Sequence, residues 1–121
     1  MIPELRKTNG SVIFISSGAS VAAFAGWGAY GTSKAAINHI CATLAVEEPN
    51  ITSIAISPGK VDTAMQKQIR EEGQAGMVPE FHAAFVQEHE KGLLLPPEKP
   101  AFVIAKLVAS GSKEFSGKHL R

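Results

Sequence analysis

The sequence predicts an α/β fold built on an open parallel sheet, and three observations carry that prediction. Val12, Ile13, Phe14 and Ile15 form a short apolar run between Gly10-Ser11 and Ser16-Ser17-Gly18. A run that is apolar on both faces is how a strand buried inside a parallel sheet reads. From about Ala29 to Glu47 the period changes. Ile37, Ile40, Cys41 and Leu44 fall at i, i+3, i+4 and i+7, one stripe of a helix that Pro49 stops. Ile51 to Ser57 is strand-like again and halts at Pro58-Gly59. Strand, helix and strand in that order make a βαβ unit. Its two strands run parallel, with Ser17 and the Pro58-Gly59 turn at one carboxyl edge. Open α/β sheets bind ligands at that edge.

The remaining elements follow more loosely. Thr63 to about Arg70 reads as a short helix capped by Asp62 or Thr63. Gly73 and Gly76 break the chain, and Pro79 to Lys91 reads as a helix ended by Gly92. Pro97 to Ala109 reads as another helix, and Gly117 to Leu120 as the start of a last strand. There is no internal repeat and no low-complexity segment.

Composition narrows the function classes. At 121 residues, the length suits a single domain. Twelve Lys and Arg stand against 11 Asp and Glu, a net charge of +1 with no basic block, so nucleic-acid or membrane-surface binding has no electrostatic footprint. The longest apolar stretches fall far short of the ~20 residues of a membrane span, and residues 1–10 lack the apolar core of a signal peptide. The single cysteine, Cys41, excludes an internal disulfide and reads as a small buried hydrophobe. A reducing, cytoplasmic setting is the expectation.

Tyr30 and Lys34 are four residues apart at the start of the long helix, so their side chains leave one face. A free phenol, with a pKa near ~10, exchanges protons poorly at neutral pH. A nearby ammonium favours the phenolate, and a phenol so tuned can act as general acid or base. A second hydroxyl is needed to hold a carbonyl oxygen while charge develops on it. Ser17, just past the first strand, is placed for that, and the small-residue loop from Gly18 to Gly28 is flexible enough to fold it back over the helix start. Taken singly, a Tyr-Lys pair also fits a solvated helix surface and a serine fits a strand end. Their joint placement at the carboxyl edge is the signal.

SVIFISSGAS, AYGTSKAAI and ISPGKVDTAM resemble three consecutive blocks of the short-chain dehydrogenase/reductase family, in its order and spacing. The resemblance is strong from residue 10 to about 65 and looser beyond. It implies the C-terminal half of a Rossmann-type, doubly wound parallel sheet. It also implies an oxidoreductase that passes hydride between a nicotinamide cofactor and a carbonyl. By resemblance, Ser17 binds the substrate oxygen, Tyr30 transfers the proton, and Lys34 tunes Tyr30 and bonds the nicotinamide ribose. The block Pro58, Gly59, Lys60, Val61, Asp62, Thr63 corresponds to the family's cofactor loop, with the Val61 backbone and the Thr63 side chain at the carboxamide. Three regions are expected: a catalytic βαβ core over 1–63, a substrate lid over 64–95, and a terminal helix and strand over 96–121. Residues 1–10 resemble the loop before the family's fifth strand.

VDTAMQKQIREEG resembles the fungal and bacterial branch near benzil reductase and sepiapterin reductase. That branch implies a hydrophobic ketone or diketone substrate and NADP(H) in preference to NAD(H). Met65, Ile69, Met77, Phe81, Phe85 and Leu93 to Leu95 are candidates for an apolar pocket lining, or equally for a helix core face. The family's long helix commonly packs on its copy in a second subunit. Ala35, Ala36, Ala42 and Ala45 suit that homo-oligomer, and equally suit packing on the sheet. Gly26-Trp27-Gly28-Ala29-Tyr30-Gly31 spells G-x-G-x-x-G, but no strand directly precedes it, so it is read as a means of close approach and not as a phosphate loop. His82 and His89, seven apart on one helix, are about 10 Å apart, too far to share a small ion, and no metal is expected.

The family's glycine-rich nucleotide loop, cofactor-selecting residue and preceding asparagine have no counterpart here. The expectation is therefore a fragment or truncated gene product that is inactive alone. The rival reading is a non-catalytic fragment serving as an interaction or dimerisation module, or a degraded gene product.

Overall fold

The computed structural model describes residues 1–121. Three parallel strands lie in the order β1-β2-β3, with β1 at Ser11–Ile15, β2 at Thr52–Ile56 and β3 at His119–Leu120. β1 and β2 pair in register from Ser11 with Thr52 to Ile15 with Ile56. β3 adds Ala55 with His119 and Ile56 with Leu120. The α/β class and the parallel βαβ unit are thus as the sequence predicts.

β2 is the middle strand, and all five of its residues are buried. Ile54, Ala55 and Ile56, together with Ile51 and Cys41, make the apolar core. β1 differs from expectation. It has a strand on one side only, so it is half-buried and Ile15 is 45% exposed. A two-sided apolar run reports its composition, whereas burial also depends on a second neighbour.

The long helix α2 (Gly28–Glu47) connects β1 to β2 and packs on both. Ser53 Oγ donates to the Cys41 carbonyl at 2.9 Å, so the buried hydroxyl of β2 is satisfied by the helix above it. The predicted stripe is narrower than expected. Cys41 is buried and Ile37 and Leu44 are half-buried, but Ile40 is 53% exposed, beside a groove with Met1, Ile2, Val12 and Phe14. Ala45 lies against Gly117, where φ is +79° and an added Cβ would come within 3.2 Å of the Ala45 methyl. Of the four alanines, Ala42 and Ala45 are half-buried, while Ala35 and Ala36 stay exposed.

Residues 1–10 correct the expectation of a loop. Ile2–Thr8 is a helix, α1, and its signals are local. Pro3 sits in the first turn with Glu4, Arg6 and Lys7 occupy the last, and Asn9 closes the helix in the left-handed region at φ 49°. Arg6 Nε also donates to Glu48 Oε2 at 2.7 Å, fastening α1 to the end of α2. That hydrogen bond holds the Glu48 carboxyl below its usual range and pushes the Arg6 guanidinium further up.

Beyond β2 come α3 (Ala64–Glu72), α4 (Pro79–Glu90) and α5 (Glu98–Ser110), each within two residues of its predicted bounds. No helix is long and apolar enough to cross a membrane.

Candidate active site

The carboxyl ends of β1 and β2 gather the predicted residues. Ser16 N–H donates to the Ile56 carbonyl at 2.8 Å, extending the pairing one step past β1 and delivering Ser17 at the sheet edge. Ser17 caps a 3-10 turn over Gly18–Ser20, its Oγ accepting from Ala19 N–H at 3.2 Å. A hydroxyl used as an acceptor keeps its own proton to donate.

That turn lies against the start of α2. A Cβ on Gly31 would come within 2.7 Å of the Ala19 carbonyl oxygen, an approach only glycine permits without a shift. Tyr30, beside Gly31, is half-buried with its ring edge-on to Trp27, centroids 5.2 Å apart and planes at 88°. One turn on, Lys34 Nζ is 5.7 Å from the Tyr30 ring centroid and donates to the Ile15 carbonyl at 2.9 Å. Ser17, Tyr30 and Lys34 therefore share one edge, joined through Ile15, Ala19 and Gly31.

Pro58, Gly59, Val61 and Thr63 lie in the loop from β2 to α3 at the same edge. Gly59 has φ +83°, a conformation that favours glycine. Val61 bridges Leu95: Leu95 N–H donates to the Lys60 carbonyl at 2.8 Å, and Asp62 N–H to the Leu95 carbonyl at 2.9 Å. Lys60 also pairs with Glu88 of α4. Thr63, not Asp62, caps α3, with Oγ1 accepting from Gln66 N–H at 3.4 Å. The Thr63 residue is exposed.

Two groupings beside the site were not read from sequence, although Phe81 and Phe85 were named as candidate pocket residues. Phe24 and Trp27, in the loop before α2, meet Phe81 and Phe85 of α4. Phe24 stacks on Phe81 at 5.1 Å and Trp27 on Phe85 at 5.7 Å. With Tyr30 they form a continuous aromatic wall. The signal was present as two aromatic residues in an otherwise small-residue loop leading to Tyr30. The second group is polar. Ser57 Oγ meets His119 Nε2 at 2.7 Å, and Asn38 Nδ2 meets His119 Nδ1 at 3.3 Å and Ser20 Oγ at 2.8 Å. Burial, with a smaller contribution from Arg121, holds the His119 imidazole below its ordinary pKa.

The G-x-G-x-x-G string serves protein contacts. Gly26, at φ +81°, faces the Gly76 carbonyl, and Gly31 faces Ala19. His82 Nε2 bonds the Arg70 carbonyl at 3.0 Å, and no three His, Cys, Asp or Glu side chains cluster as metal ligands would. The apolar residues of 64–95 divide. Ile69, Met77, Phe81, Phe85 and Leu94 are half-buried, while Met65 and Leu93 are 60% and 63% exposed.

Comparison with known proteins identifies the family of the chain. The family model for short chain dehydrogenases matches residues 1–74. Over 93% of its length the chain is 47% identical to benzil reductase ((S)-benzoin forming) of Saccharomyces cerevisiae, of which it covers 44%. It is 35% identical, over 98% of its length, to sepiapterin reductase of Meriones unguiculatus, covering 42% of that protein. A crystal structure of a short chain dehydrogenase/reductase from Saccharomyces cerevisiae superposes with a TM-score of 0.95 at 47% identity, over 98% of this chain and 48% of that one. The chain thus spans somewhat under half the length of these relatives, and over that span its parallel sheet is part of a Rossmann-type fold. The match over residues 1–74, together with the shared sheet, establishes that this chain belongs to the short-chain dehydrogenase/reductase family of oxidoreductases.

Proposed function

We infer that these 121 residues are the catalytic half of an NAD(P)H-dependent reductase of hydrophobic ketones or diketones, with Ser17, Tyr30 and Lys34 as its reacting set. The observation that carries this reading is the shared edge. Lys34 reaches back to Ile15, two residues before Ser17, while its ammonium stays 5.7 Å from the Tyr30 ring.

The groups at this edge suit the nicotinamide end of a cofactor. Ser16 Oγ is buried there without a partner, and the left-handed Gly59 turns the loop that carries Val61 and Thr63. When bound, a reduced nicotinamide supplies the hydride that reaches the carbonyl carbon. Ser17 donates a hydrogen bond to the carbonyl oxygen as negative charge grows on it. Tyr30 gives that oxygen its proton, and the Lys34 ammonium offsets the charge left on the phenol oxygen. Pro58, Gly59, Val61 and Thr63, with Lys34, hold the carboxamide and ribose side.

Several finer points belong to the same reading. The names of the yeast and gerbil relatives favour a ketone or diketone substrate. The wall of Phe24, Trp27, Phe81 and Phe85 offers aryl groups a stacking surface. The resemblance to that branch favours NADP(H) over NAD(H). Residues 64–95 serve as the lid, fastened to the cofactor loop through Leu95 and Glu88. The exposed Ala35, Ala36 and Ile40 of α2 favour a homo-oligomer, and the single, unpaired Cys41 a reducing cytoplasm.

The test joins residues 1–121 to the first half of the yeast benzil reductase and follows NADPH oxidation with benzil. Turnover that Tyr30→Phe abolishes is the expected result. A folded chimera with no turnover, or turnover that survives Tyr30→Phe, would overturn the assignment.

A further inference from the structure

Ser57, just past β2, and His119, Asn38 and Ser20, from β3, α2 and the 3-10 turn, form one chain of hydrogen bonds ending on Ser17. Its donor directions follow from chemistry. Ser20 Oγ lies 2.7 Å from the Ser17 carbonyl, which can only accept, so the Ser20 proton is committed there. Ser20 Oγ must then accept from Asn38, which fixes the amide with its NH2 toward both Ser20 and His119. His119 Nδ1 faces that NH2 and accepts, so the ring's one proton sits on Nε2 and goes to Ser57 Oγ at 2.7 Å. Only neutral His119 satisfies the arrangement.

We propose that His119 is a positioning residue, whose neutral imidazole orients Asn38 and thereby holds Ser20 and the turn that presents the Ser17 hydroxyl. The proposal rests on the reading that Ser17 holds the substrate oxygen. Asn38 Oδ1 is buried without a partner, so the amide has a second state in reserve. A solvent proton taken up at Nδ1 turns that ring atom into a donor. The amide then rotates to offer Oδ1, and the Ser20 hydroxyl, facing an acceptor, swings from the Ser17 carbonyl to Asn38. The anchor on Ser17 is released.

Few charges compete for His119. β2 and the 3-10 turn carry none, and α2 has Lys34 one turn before Asn38, held at the Ile15 carbonyl. On its own strand segment, Lys118 lies over the Phe115 ring and Arg121 acts to keep the imidazole neutral. Burial acts in the same direction. The neutral state therefore holds at and above the ordinary histidine value of 6.5 and is lost as pH falls below it.

Nitrogen-15 NMR of the 121-residue chain reads the tautomer directly. The expected result is a proton on Nε2, with the Asn38 side-chain NH2 and the Ser20 and Ser17 amides titrating at the His119 midpoint. In His119→Gln, which keeps a donor for Ser57 and cannot titrate, that shared transition should vanish. A proton on Nδ1, or Ser17 and Ser20 signals that stay flat while His119 titrates, would overturn the proposal. The chimera with the yeast half supplies a second measurement. His119→Ala should lower kcat about tenfold, less than the ~10²-fold of a 1 Å misplacement, with KM little changed. His119→Gln should recover most of that loss and flatten the acid limb of the pH profile. An unchanged kcat in His119→Ala would count against positioning. Turnover that survives Tyr30→Phe would instead overturn the catalytic reading while leaving the NMR result to stand by itself.

Discussion

Lys34 Nζ donates to the Ile15 carbonyl at 2.9 Å, so one side chain ties the second turn of α2 to the last residue of β1. The bond satisfies a carbonyl at the end of an edge strand and holds the ammonium beside Tyr30. The lysine proposed for the reacting set is thus also a structural tie.

Lys34→Met separates the two contributions. It keeps most of the stem's apolar packing and removes the donor, which should cost about 1 kcal/mol, the usual net worth of one hydrogen bond. Urea denaturation of the 121-residue chain checks this. Turnover of the chimera should fall much further than that loss of stability explains. Lys34→Met with full activity would remove Lys34 from the reacting set.

Tyr30→Phe makes the converse separation. The ring keeps its edge contact with Trp27, so the melting temperature should move by less than about 4 °C, the equivalent of under ~1 kcal/mol. Loss of the proposed proton donor should lower kcat by at least ~10²–10⁴-fold. A matched fall in stability would instead show that the hydroxyl is structural.

Gly31→Ala tests the approach of the Ser17 turn to α2. Alanine gains about 1 kcal/mol of helix propensity. Against this, its Cβ would stand 2.7 Å from the backbone oxygen of Ala19, and overpacking of that kind costs roughly 1–3 kcal/mol. The clash should win, giving a less stable chain with shifted Ser17 and Ala19 amide resonances. A more stable chain would mean that the turn moves away freely.

Much of this was legible in the sequence because it depends on local pattern. The βαβ unit follows from two apolar runs around one helical stripe, and the placement of Ser17, Tyr30 and Lys34 at its carboxyl edge follows from their positions relative to those elements. The misses have physical reasons. α1 carries only Ile2 and Leu5 as large apolar residues, neither of them fully buried, so its helix signals are caps and charges without a stripe. The exposure of Ile15 depends on which strands flank β1, and no residue near Ile15 encodes that. Phe24 meets Phe81, and Asn38 meets His119, across long sequence separations, so neither the aromatic wall nor the histidine chain has a local signature.

A divided cofactor tests which half of the nucleotide these residues recognise. The Pro58–Thr63 loop and Lys34 are candidates for the nicotinamide side, and no glycine-rich strand-loop-helix among the 121 residues suits the adenosine side. Reduced nicotinamide mononucleotide should shift the Gly59, Val61, Thr63 and Lys34 resonances at millimolar concentration. Adenosine 2′,5′-bisphosphate should shift none of them. For the same reason the purified 121-residue chain should show no NADPH-dependent reduction of benzil. Measurable turnover by that chain would sink this division of labour.

The pH dependence of stability has a separate source in Arg6 and Glu48. Their hydrogen bond holds the Glu48 carboxyl below its usual value of 4.5. A carboxylate with a depressed folded pKa stabilises fully above its unfolded value, and the contribution is lost as pH falls through the folded one. The raised Arg6 value lies above any working pH and adds no titration of its own. Wild type should therefore lose more stability than Glu48→Gln between about pH 5 and pH 3, and the two should converge at the acid end. Added salt should shrink their difference near neutrality, because the Arg6 side chain is 55% exposed and open to screening. Urea midpoints across pH and ionic strength decide it. If both chains lost stability in parallel, the ion pair would not be what fastens α1 to α2.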